Sequence, residues 1–223
     1  MTSKRLRRSI CPRCQRPDVA CLCAAVRPVA HQVQVLILMH PLEQHQAKGT
    51  GHLLHLCLPG SRLAVGEAFA PEPLAQWLQA PWCDADRQAP RRAVLLYPPT
   101  PPDAPCPAPP PLAQDWLATP ARLRLVVLDG TWRKSRKLLW LNPALQALPR
   151  LALHDVPASR YSIRKAHAPH QLSTLEATQQ ALQQLEPGNA GIAALGRAMD
   201  DFMARQQAYW PGSPSAMLAA HPS

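Results

Sequence analysis

The sequence predicts an α/β domain built on a mostly parallel sheet with flanking helices, preceded by a small cysteine module. Three observations carry that prediction. Short apolar runs, VQVLILMH at 33–40 and LRLVVL at 123–128, are too brief for buried helices and read as central strands. Segments with helix start and stop signals lie between such runs, which is the alternation of a parallel sheet. Near the N-terminus, four cysteines fall within the thirteen residues CPRCQRPDVACLC.

With 223 residues the chain can bury one substantial core with a small module attached. The division expected is a basic tail and cysteine module over 1–30, an α/β domain over 31–212, and a disordered tail over 213–223. The formal charge of +10 favours a polyanionic partner, with nucleic acid ahead of a membrane surface. Arginine supplies 19 of the cations and lysine 5, which reflects either guanidinium recognition of phosphate or the base composition of the genome. No apolar stretch is long enough to cross a bilayer, and no apolar segment follows the basic MTSKRLRRSI as in a secretory signal. A cytoplasmic protein is expected, with its thiols reduced or metal-bound.

The opening cations Lys4, Arg5, Arg7 and Arg8 read as a solvated arm. Cys11 and Cys14 then form a C-x2-C pair, and Cys21 and Cys23 a C-x-C pair. Four thiolates would satisfy tetrahedral zinc with no open position, as in a structural site whose turns Pro12 and Pro17 keep, or else the four are unrelated cysteines or a redox pair. Cys57, Cys83 and Cys106 have no such spacing. The first strand runs into the loop His40-Pro41-Leu42-Glu43. Lys48-Gly49-Thr50 looks like an anion cradle, a weak signal without a P-loop frame, and a helix over 51–58 should stop at Pro59-Gly60. A strand over 61–67, a helix over 71–80 and a strand over 93–97, ending at Tyr97, follow in turn. Nine prolines among residues 98–111 make an extended connection before a short helix over 114–119.

The next strand ends in Asp129-Gly130-Thr131-Trp132. A carboxylate, a glycine and a hydroxyl where strand gives way to helix occupy the usual active-site position of this architecture, or else Asp129 or Thr131 merely caps the helix. Arg133, Lys134, Arg136 and Lys137 on that helix suit phosphates. Asn142-Pro143 should open a further helix, with Asn142 as cap, and 151–156 should be the fifth strand. In SRYSIRKAH, Arg160, Arg164 and Lys165 gather around Tyr161, as in phosphate contact plus base stacking or as in an ordinary surface loop. Ser173 and Glu176 form a capping box whose default role is to satisfy a helix start. The last helix, over 191–209, carries Leu195, Met199, Phe202 and Met203 on one face, and the end after Trp210 should fray.

Taken in order, CPRCQRPDVACLC, Asp129-Gly-Thr-Trp132, SRYSIR and Ser173-Thr-Leu-Glu176 resemble the DTW-domain family, from about Cys11 to the helix after Glu176. One departure is Gly49, where many relatives carry asparagine before the Thr-Gly. The resemblance implies a SPOUT-like fold, with or without its C-terminal knot. It also implies transfer of the 3-amino-3-carboxypropyl arm of S-adenosylmethionine to N3 of a tRNA uridine, expected in the variable loop, with release of 5′-methylthioadenosine. Under it Asp129, Thr131 and Trp132 are catalytic, Asp129 as the base for the N3 proton and Trp132 either stacking on a ring or wedging the loop. His40, Thr50, Tyr97, Leu128, Arg160, Tyr161, Arg164, Ser173 and Glu176 bind the donor, with Arg160 or Arg164 on its carboxylate and Glu176 on its ammonium. Arg133, Lys134, Arg136 and Lys137 bind tRNA, and Cys11, Cys14, Cys21 and Cys23 hold structural zinc. Two other readings compete: a SPOUT-type methyltransferase using the same donor, and a non-catalytic zinc-knuckle RNA-binding module.

Overall fold

The computed structural model describes residues 9–99, 108–161 and 172–208. The basic arm, most of the proline run, Cys106, Arg164, Lys165 and the C-terminal end from Tyr209 lie outside these residues. In chain order the elements are β1 (Gln34–Met39), α1 (Gly51–Cys57), β2 (Arg62–Val65), α2 (Pro71–Gln79), α3 (Asp84–Gln88), β3 (Arg92–Leu96) and α4 (Gln114–Leu117). They continue with β4 (Leu123–Asp129), α5 (Trp132–Leu141), α6 (Pro143–Gln146), β5 (Arg150–Leu151), α7 (Thr174–Leu185) and α8 (Ala194–Ala208).

The five strands make one sheet in the order β2-β1-β4-β3-β5, every neighbouring pair parallel. β4, with all seven residues buried, lies at the centre, which is why its sequence is apolar without alternation. Alternate residues still serve opposite faces. Val35, Ile37, Leu125 and Val127 pack with α1, α7 and α8, whereas Leu36, Leu38, Val126 and Leu128 pack with α2, α5 and α6. By this alternation Asp129 belongs to the α1 side. All the strands point their carboxyl ends the same way, so the loops after β1, β3, β4 and β5 converge on one rim.

The cysteine module is a small turn structure docked on the α1–α7–α8 face. Cys14, Leu22, Ala25, Val26 and Val29 are buried in the same core as those helices. Gln15 takes the left-handed backbone, φ 56°, that a C-x2-C turn needs after its second thiol. Gly60 (φ 78°) turns the chain after α1, as Pro59-Gly60 led one to expect.

Three expectations need correction. The fifth strand is only Arg150–Leu151, at the start of the apolar segment and not across 151–156. Asn142 is the N-cap residue of α6, before Pro143, but its side chain makes no capping bond: its amide donates to the Leu138 and Glu67 carbonyls, and its oxygen accepts from Phe69 N–H. The buried side chain bonds groups distant in sequence, which outcompete the local cap. The last helix is also shorter than expected at its start, since Ala190–Ala193 forms a 3-10 turn before α8.

Candidate active site

A cavity of about 300 Å³ opens at the carboxyl rim of the sheet. Its walls are the ends of β3 (Leu96, Tyr97, Pro98, Pro99), of β4 (Leu128, Gly130) and the segment after β5 (Ala152, Leu153, Val156). Trp132 and Ser135 of α5 close one side, and Leu172, Ser173, Thr174 and Ala177 at the start of α7 close another. Tyr97 and Trp132 meet edge to face, ring centroids 5.8 Å apart, with Trp132 half exposed. Among the described residues no charged side chain lines the cavity.

Thr131 is the N-cap of α5, its hydroxyl accepting from Lys134 N–H at 3.4 Å. Asp129 is 4% exposed, does not line the cavity, and packs against Gly51 at the start of α1. A Cβ on Gly51, the first residue of α1, would stand 2.3 Å from the Asp129 Oδ2 atom, so only glycine admits this approach. Thr50, also buried, accepts a hydrogen bond from Leu175 N–H at 3.3 Å. The starts of α1 and α7 are thereby joined beside Asp129.

His40 is committed to the protein at both ring nitrogens: Nδ1 accepts from Leu42 N–H (3.2 Å), and Nε2–H therefore donates to Glu67 (2.7 Å). It braces the turn beneath Gly130 and is not on the cavity wall. Lys137 also pairs with Glu67, at 2.8 Å, and Lys134 pairs with Glu43 at 2.7 Å. Lys137 first and His40 second hold the Glu67 carboxyl below its ordinary range. The four cations of α5 are thus not equivalent. Lys134 is turned inward, whereas Arg133 and Arg136 are exposed.

The residues expected to bind the donor divide the same way. Tyr97, Leu128 and Ser173 line the cavity. Arg160 does not: its guanidinium turns to Asp200 on α8, at 3.5 Å. Tyr161 is buried, and its hydroxyl donates to the Lys48 carbonyl, so its ring is core and offers no stacking face. The Glu176 carboxylate accepts from Ser173 N–H (2.8 Å), Arg160 N–H (2.8 Å) and the Ser159 hydroxyl (2.9 Å). It completes the capping box with Ser173 and fastens residues 159–160 to α7, leaving little capacity for a ligand's ammonium. Pro98, Pro99, Ser135, Leu153 and Thr174 were not expected at the site. Only Pro98-Pro99, directly after a strand, carried a sequence signal.

The four cysteine sulfurs lie within 4.8 Å of one another, with Cys11–Cys23 at 3.6 Å and Cys14–Cys21 at 3.7 Å. Tetrahedral zinc with Zn–S bonds of about 2.3 Å requires S···S edges of roughly 3.8 Å, so the donor set fits that ion. The N–H groups of Cys14 and Arg13 draw the Cys11 thiol down to about 6, while burial and the neighbouring thiols push Cys23 up to about 12. One ready thiolate beside crowded thiols is a set that a dication would deprotonate on binding.

The sequence profile of the DTW domain matches residues 8–207. The chain belongs to the DTW-domain family. This DTW chain is 33% identical over 189 residues to tRNA-uridine aminocarboxypropyltransferase 2 of Drosophila melanogaster, covering 81% of itself and 68% of that protein. It is 30% identical over 188 residues to the protein of that name from Mus musculus and 27% over 191 residues to that from Macaca fascicularis; in both cases 82% of this chain matches 58% of the relative. The DTW chain thus spans between 58% and 68% of the length of these curated relatives. No solved structure matches it significantly. The Asp-x-Thr-Trp signature of the DTW domain is the turn from β4 into α5, and the Ser-Thr-x-Glu motif opens α7 across the cavity from it. No helix among the described residues is long and apolar enough to cross a membrane.

Proposed function

We propose that this chain transfers the 3-amino-3-carboxypropyl group of S-adenosylmethionine to N3 of a tRNA uridine, releasing 5′-methylthioadenosine. The observation that carries the reading is the cavity itself, walled by the Asp-x-Thr-Trp turn on one side and the Ser-Thr-x-Glu helix start on the other. Its volume of about 300 Å³ sits at the lower end of the range for ligand pockets, roughly 300–1,000 Å³. The apolar wall of Leu96, Pro98, Leu153 and Val156 suits the nucleoside. Ser135, Ser173 and Thr174 supply the polar rim for the amino-acid arm, with the start of α7 facing its carboxylate. Arg164, outside the described residues, is the side chain we assign to that carboxylate. The rings of Tyr97 and Trp132 offer the sulfonium a cation–π environment.

In the reaction uridine N3 bonds the γ-carbon of the arm as the carbon–sulfur bond breaks. The electron pair stays on sulfur, which leaves as a neutral thioether and needs no acid. The N3 proton must go to a base, and we assign it to Asp129. Because that carboxylate does not line the cavity, we assign the proton's path to a bridging water. Thr131 and Trp132 hold the turn in place. The tRNA lies along the exposed side of α5, where Arg133 and Arg136 meet phosphates and Trp140, 53% exposed, offers a stacking face. We expect the target in the variable loop and the protein in the cytoplasm, with zinc on the four cysteines as a structural ion. The uninterrupted parallel sheet supports reading the domain as SPOUT-like.

Nucleoside mass spectrometry of tRNA incubated with the protein and the donor tests the reading. Aminocarboxypropyluridine and methylthioadenosine are the expected products. S-adenosylhomocysteine would mean methyl transfer, and tRNA binding without any covalent product would mean an RNA-binding module; either overturns it.

A further inference from the structure

Arg16 lies inside the cysteine module, two residues after Cys14. The fold buries it, 9% exposed. Its guanidinium donates to three backbone carbonyls of the segment before α1: Ala47 at 2.7 Å, Gln46 at 3.0 Å and Gly49 at 3.1 Å. The remaining carbonyl of the four, that of Lys48, receives the Tyr161 hydroxyl. Four consecutive carbonyls therefore turn inward onto two side chains, and the Arg16 guanidinium also lies 5.9 Å from the Phe202 ring centroid on α8. The next two residues are Thr50, bonded to Leu175 at the start of α7, and Gly51, seated on Asp129.

We propose that Arg16 is a positioning residue for the transfer reaction, holding residues 46–49 so that Thr50 and Gly51 bring the start of α1 against Asp129 and α7. The cysteine module is then a brace for the site and not a separate RNA-binding appendage. The part of this that concerns the reaction rests on the function proposed above. The planar fork of arginine suits three carbonyls at once, and a lysine ammonium in its place keeps the charge but loses the fork.

The test uses the full-length protein with its metal bound. In Arg16→Met, amide hydrogen exchange over 46–54 should speed up and the KM for the donor should rise, each on the order of tenfold for the lost charged hydrogen bonds. The KM for tRNA and the bound zinc should stay within about twofold of wild type. Arg16→Lys should behave like Arg16→Met. Tyr161→Phe, which frees the Lys48 carbonyl from the other side, should shift both readouts in the same direction by less, and it carries the test should Arg16→Met fail to fold. Three results overturn the proposal. One is loss of tRNA affinity restored by lysine, which marks a phosphate contact. Another is a lower melting temperature with unchanged donor KM, which marks a residue of the fold alone. The third is unchanged exchange over 46–54. Failure of the function itself would appear as absent transfer in the wild type, where the exchange comparison still reports on Arg16.

Discussion

The contact between Gly51 and Asp129 can be tested by a double-mutant cycle. In Gly51→Ala the new Cβ would stand 2.3 Å from the Asp129 Oδ2 atom and 2.6 Å from its Cγ, where side chains hardly ever approach within 3.0 Å. Asp129 is 4% exposed at the end of a buried strand and has little room to retreat. Overpacking of this kind costs about 1–3 kcal/mol. Alanine's helix propensity offsets at most about 1 kcal/mol of it, less at a first helical position. The single variant should therefore be less stable by about 1–2 kcal/mol, which lowers Tm by roughly 2–8 °C for a chain of this size. In an Asp129→Ala background the carboxylate is gone. The Met39 methyl, 2.9 Å from the new Cβ, is the mobile end of its side chain and can swing aside. There Gly51→Ala should be neutral or mildly stabilising, so the two sites couple by about 2 kcal/mol. Urea unfolding followed by circular dichroism gives all four corners. Equal costs of Gly51→Ala in the two backgrounds would refute the contact and, with it, the placement of Asp129 beside α1.

Other expectations concern separate parts of the molecule. Asp129→Asn should abolish transfer while tRNA affinity changes by less than about twofold, since the carboxylate faces no phosphate; turnover at the wild-type rate would remove Asp129 from the mechanism. Replacing Cys11 and Cys14 by serine should release the metal and loosen the module that carries Arg16, seen as lost zinc in native mass spectrometry and a lower Tm. Arg133→Ala with Arg136→Ala should reduce the slope of log affinity for tRNA against log salt by about 1–2, whereas donor KM should not move. At the opposite end of the sheet, burial alone would raise the Asp86 carboxyl, but Arg91, the Trp82 N–H and the Gln34 amide together hold it well below its usual range. A carboxyl depressed in the folded state contributes stability above its unfolded value of about 3.9, and that contribution is lost as pH falls through the lower folded value. Acid unfolding below about pH 4 should accordingly be shallower in Asp86→Asn than in wild type.

The central strands β1 and β4 were legible because burial on both faces leaves a continuous apolar run. Thr131 and the Ser173–Glu176 box were legible as caps because capping is a local bond. What the sequence concealed depends on contacts far along the chain. Arg16, Arg160 and Glu176 look alike as charged residues near motifs, yet each is spent on partners that only the fold supplies: carbonyls 30 or more residues on, Asp200, and the 159–160 segment. Tyr161, placed among cations, suggested a stacking platform until its hydroxyl proved to hold Lys48 and its ring to be core. The fifth strand was expected one residue late and several residues too long because two residues of ladder leave no periodic trace to bound it.

A single acidic group, Glu176, both finishes a helical end and ties down the neighbouring strip of chain. Fraying of the first turn and release of that strip cannot then be separate events. Whatever peels one away, heat or a substitution, must unlatch the other in the same stroke, and that margin of the cleft should open all at once.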